Sequence, residues 1–76
     1  MAGITPIHHR EFEKFLLKIG CQFVRQRGDH RIYWRDGLKR PVVVPTYKAL
    51  PIFIIKNNLR IVDISTEEYL RTLQAL

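Results

Sequence analysis

The sequence predicts a small α+β domain of order α-β-β-β-α-α, a three-stranded antiparallel sheet with its helices packed on one face. Three observations predict it. Apolar residues near the amino terminus recur at helical spacing, the middle of the chain is extended and cut by two glycine-containing turns, and the last third returns to helical spacing behind a capping signal. At 76 residues there is room for one domain, spanning residues 1–76, which buries roughly 60% of the surface its unfolded chain exposes.

In the first helix Phe12, Phe15, Leu16 and Ile19 form the inward stripe, and Gly20 supplies a C′ stop. Its start is open between Thr5-Pro6, as N-cap and N1, and His8 or His9. Strands follow near residues 21–27, 30–35 and 41–44. Gly28-Asp29 reads as a two-residue type II′ loop, which sets Arg27 opposite His30, Arg25 opposite Ile32 and Phe23 opposite Trp34. Pro41 and Pro45 lack ladder donors, so the third strand should be short, with its proline-bearing side facing away from its neighbour. Pro51 then opens a second helix that buries Ile52, Ile55, Leu59 and Val62. Ser65-Thr66-Glu67-Glu68 reads as a capping box, and the third helix turns Tyr69, Leu70 and Leu73 inward.

Composition narrows the partners. Thirteen Lys and Arg against seven Asp and Glu give a formal charge of +6, which makes a polyanion the leading partner class. Cys21 is the only cysteine, so an intramolecular disulfide and a cysteine zinc site are excluded, and it reads as a small hydrophobe. His8 and His9 are adjacent and lack the i, i+4 spacing of a helical metal pair. Met1 to Pro6 has neither the basic nor the apolar region of a leader, and Ile52 to Ile55 is too short to cross a bilayer. A cytoplasmic protein without membrane association is expected.

The stretch RQRGDHRIYWR, Arg25 to Arg35, sets His30 at the start of a strand among arginines. Histidine gains and loses a proton near neutral pH, and cations hold phosphate. Scission of RNA needs both: the 2′-hydroxyl must lose a proton as it attacks phosphorus, and charge on the phosphoryl oxygens must be stabilised. Arg25, Arg27, Arg31 and Arg35 are the expected RNA contacts, with Lys39 in the following turn. Tyr33 and Trp34 could stack on bases or belong to the core.

The run from Phe15 to Tyr33, FLLKIGCQFVRQRGDHRIY, resembles the HicA toxins, also described as the YcfA-like family. Their signature is a Leu-Leu helix end, Gly plus an aromatic, Val-Arg-Gln-x-Gly-Ser-His and an apolar-Tyr pair. Asp36-Gly37 with PVVVP, Pro41 to Pro45, and IIKNNLRIVDISTEEYL, Ile54 to Leu70, are similar to the family's later elements, so the resemblance covers roughly residues 7 to 73. It implies a double-stranded-RNA-binding-like fold and a toxin that cleaves mRNA without a metal or other cofactor, held inactive by a HicB-like antitoxin. The family's catalytic histidine falls on His30. Asp29 stands in place of the family serine, adding negative charge along the path of an anionic substrate. The connection at Thr46-Tyr47-Lys48 is short, and Asp63 replaces a helix-ending glycine, so the second helix is expected to close without a left-handed cap. Two other readings use the same residues: a non-catalytic RNA-binding module, and a decayed toxin whose basic surface only docks an acidic antitoxin.

Overall fold

A computed structural model of the chain describes residues 3–76. Met1 and Ala2, which the reading of the amino terminus included, lie outside the described residues. The order is α1 (His9–Lys18), β1 (Gln22–Arg27), β2 (His30–Trp34), β3 (Val42–Pro45), α2 (Ile52–Val62) and α3 (Thr66–Gln74). The strands form one antiparallel sheet in the order β1-β2-β3.

Of the two starts open to α1, the structure has the later. His8 is the N-cap, its ring accepting the Arg10 N–H at 3.1 Å. The helix ends at Gly20, whose φ of 96° is left-handed; Gly20 and Cys21 return their N–H groups to Leu17 and Leu16 in a Schellman turn. The α2 terminus corrects an expectation: Asp63 adopts φ 57°, ψ 48°, and with Ile64 bonding back to Leu59 it closes the helix with the same motif. Aspartate tolerates this region better than most L-residues, so loss of glycine did not remove the turn. At α3 the Ser65 hydroxyl accepts the Glu68 N–H at 3.1 Å, the serine bond of the expected box.

Phe12, Phe15 and Leu16 of α1, Ile55, Leu59 and Val62 of α2, Tyr69 of α3, and Tyr33, Val42 and Val44 of the sheet make the core. Tyr69 packs its ring edge-on against Phe15, with centroids 4.8 Å apart, which seats α3 on α1. Ile19, Leu70 and Leu73 are partly buried against this cluster. Ile52 differs from expectation: at the first turn of α2 it lies at the rim of the buried stripe and stays exposed. Asn58 takes an unpredicted place on that stripe, buried, its amide donating to the Val43 carbonyl at 3.1 Å. That bond ties α2 along the outer edge of β3 and covers carbonyl chemistry an edge strand would otherwise present.

The hairpin also departs from simple alternation. Arg27 pairs with His30, Gln26 with Arg31 and Arg25 with Ile32, but Phe23 then pairs with Tyr33 and Gln22 with Trp34. Val24 is the extra residue of a β-bulge, so the expected pairing of Phe23 with Trp34 does not form, and Phe23 moves to the helix-covered face beside Tyr33.

Candidate functional site

The site begins with the loop that turns the chain. Gly28 sits at φ 57°, while Asp29 keeps the negative φ of an ordinary residue, the pattern a type II′ loop requires. Asp29 then offers its carbonyl to the Thr46 N–H at 2.8 Å, fastening the hairpin tip to the end of β3. Tyr47 and Leu50 bond back to His9 and Ile7, so the short connection after β3 is tied to the start of α1.

His30 is therefore held as the first residue of β2, between Arg27 on one neighbouring strand and Pro45 on the other. Paired residues share a face, so Arg25, Arg27, His30, Ile32, Trp34 and Val43 all occupy the face away from α1. His30, Arg25 and Arg27 are exposed there, and Trp34 keeps 39% of its surface open. His30 also borders two grooves. One runs toward the hairpin past Arg27 and Gly28; the other, of about 690 Å³, runs over Val43 and Pro45 to Phe53, Asn57, Arg40 and Arg60.

The other predicted cations stand elsewhere. Arg31 follows His30 in sequence but lies on the opposite face, with Nε donating to Glu13, one terminal nitrogen donating to Gln26 at 2.9 Å, and the guanidinium 4.3 Å from the centre of the Phe23 ring. Arg35 donates to the carbonyls of Ile19 and Val62, both at 3.0 Å, clamping the carboxyl ends of α1 and α2. A cation there also meets the negative ends of both helix dipoles. Lys39 lies beyond the His30 groove, in an adjoining hollow shared with Arg40 and Arg60. Arg25 and Arg27 are thus the predicted arginines that the fold brings beside His30, and Arg31 and Arg35 are not.

Beneath the sheet, Glu13 is buried and accepts from Arg31, the Tyr33 hydroxyl and the His9 ring. Burial pushes this carboxyl up, but the three donors outweigh burial and hold it below the usual carboxylate range. Burial, then the bond to Glu13, pushes the Tyr33 phenol up to about 12. The His9 ring is engaged by Glu13, and it stacks on His8 with centroids 4.6 Å apart. Cys21 is buried, which pushes its thiol up, as suits a packing residue. Among the described residues no three His, Cys, Asp or Glu side chains gather as a metal site would need.

A family model described as HicA toxin of bacterial toxin-antitoxin matches residues 9–64, from the first residue of α1 to just past α2. The chain belongs to the HicA toxin family. As a HicA toxin it is one half of a toxin–antitoxin system, and the family implies an antitoxin protein as its partner. The matched span includes the hairpin, His30 and the groove along α2. Neither the comparison with curated proteins nor that with solved structures finds a match. Among the described residues no helix of this HicA family member is long and apolar enough to cross a membrane.

Phe53, Asn57, Arg40 and Arg60 did not figure among the predicted site residues. On a helical wheel Phe53, Asn57 and Arg60 share a face, but nothing in their spacing says that this face borders the histidine. Only the course of α2 along β3 does so.

Proposed function

We propose that this toxin is a metal-independent RNA endonuclease acting on mRNA, with His30 as the proton-transferring residue and Arg25 and Arg27 as the nearest phosphate contacts. The observation that carries the reading is the cross-strand pair of Arg27 and His30 on an exposed sheet face, within the family's matched region. An RNA strand laid over that face meets a proton acceptor and cations together. In the proposed reaction His30 takes the proton of a 2′-hydroxyl as its oxygen attacks the adjacent phosphorus. The bond from phosphorus to the 5′-oxygen breaks, and the leaving oxygen receives a proton from the imidazolium. The arginines stabilise the charge on the phosphoryl oxygens as the fifth bond forms. A HicB-like antitoxin is the proposed partner, and the cytoplasm, where mRNA lies, the proposed compartment.

The first test is incubation of the purified chain and its His30→Ala variant with a defined RNA in EDTA. Cleavage by the wild type and none by a variant of unchanged circular dichroism is expected; cleavage only on addition of Mg²⁺ contradicts the reading. One feature favours a second reading, a non-catalytic RNA-binding module: exposed Trp34, on the same sheet face as Arg25 and Arg27, offers a ring on which a base can stack whether or not scission follows. That module would bind RNA equally with and without His30 and leave it intact.

A further inference from the structure

From the groove on the α2 side of His30 we infer that the chain holds the RNA as a single strand, with one unstacked base seated on Phe53 and the next phosphate held by Arg40 and Arg60. The inference rests on RNA being the substrate and adds where the strand runs and in what form.

Phe53 is 72% exposed, the most open of the large apolar side chains among the described residues, although it stands on a helix whose other face is packed into the core. It shares its groove with His30, Val43, Asn57, Arg40 and Arg60. Among the described residues no acidic side chain lines that groove, and its charged residues are both arginines. Past His30 the second groove is lined by Arg27 and Gly28. The residues therefore follow an order: a cation, the histidine, a small apolar floor with an aromatic ring at its side, then two cations. A strand of alternating phosphates and flat bases has the same order.

A helical duplex would keep its bases stacked inside and offer nothing to Phe53. An unpaired base has an open π-face, and stacking on an aromatic side chain is tolerant of base identity. Asn57, one turn from Phe53, offers both a donor and an acceptor to a base edge, which can add preference for one base over another. The backbone charge on either side of that base falls to Arg27 and to Arg40 with Arg60.

The experiment uses the full chain carrying His30→Ala, so that RNA survives, and reads fluorescence anisotropy of a short labelled single-stranded RNA and of the same sequence as a duplex. Phe53→Ala is expected to weaken single-strand binding by about five- to 150-fold and to leave duplex binding unchanged, with Phe53→Trp restoring it. Arg60→Gln should lower affinity and flatten its salt dependence. Unchanged single-strand affinity in Phe53→Ala overturns the inference and leaves the groove to a protein partner; so does a preference for the duplex. The same Phe53 variants in the His30 background are assayed for cleavage. Wild-type cleavage with no effect of Phe53→Ala on binding removes the base seat and keeps the nuclease. Loss of binding in Phe53→Ala with no cleavage by the wild type keeps the base seat and removes the nuclease.

Discussion

Arg31 and His30 are neighbours in sequence and stand on opposite faces of the sheet: Arg31 is bonded to Glu13 beneath it, while His30 faces Arg27 above it. Two arginines that look alike in the sequence should therefore fail differently. Arg27→Gln should keep the stability of the wild type, lower RNA affinity, and reduce the slope of log affinity against log salt by about 0.7 to 0.9, one phosphate contact. Arg31→Gln should lower the midpoint of urea unfolding and leave the salt slope of the folded protein unchanged. Anisotropy titrations at several salt concentrations, beside unfolding curves, check both.

Glu13 gives the fold a pH dependence. Its carboxyl is held below the ordinary range in the folded protein, so its contribution is complete above the unfolded value and is lost as pH falls through the folded one. Tyr33 works in the other direction: its stabilising neutral form is complete below the ordinary tyrosine value near 10 and is lost as pH rises toward about 12. Unfolding curves from acid to alkaline pH should show stability falling at both ends. Glu13→Gln should cost about 3 kcal/mol at neutral pH, because it leaves Arg31 without its charge partner, and should flatten the acid limb.

Arg35 joins two helix ends through Ile19 and Val62. Its truncation to Ala strands both carbonyls and should destabilise the fold by about 2–4 kcal/mol, given the worth of hydrogen bonds from a charged donor. Lysine, which keeps the charge but cannot fork across the two carbonyls, should recover part of that loss. Thermal unfolding of the three proteins measures it, with RNA affinity of the folded protein unaltered.

Asp63 holds a left-handed conformation that glycine adopts without strain. Asp63→Gly is expected to stabilise the protein by about 0.5–1 kcal/mol, since relief of strain exceeds the added freedom of the unfolded chain. A lower unfolding midpoint in that variant would contradict this account of the α2 terminus.

The element order was legible because each boundary carried its own local chemistry: Gly20 and Gly28 for chain reversal, Ser65 for a cap, and prolines around a short strand. The pairing of His30 with Arg27 followed from the two-residue loop alone. What lay beyond a few residues was not legible. Val24 carries no mark of a bulge, yet it moves Phe23 across the sheet. Arg31 and Arg35 look like free cations until their partners, Glu13 on α1 and the ends of two helices, are brought near by packing. The groove beyond His30 depends on Asn58, a polar residue in an apolar stripe, whose bond to Val43 fixes where α2 lies.

The central claim is that His30 carries the proton in RNA scission, and the ends of the fragments test it most directly. Wild-type protein acting on a defined RNA in EDTA should leave 2′,3′-cyclic phosphates and 5′-hydroxyls, and His30→Ala should leave the RNA whole while still binding it. Fragments carrying 5′-phosphates, or equal cleavage by the His30→Ala variant, would contradict the account.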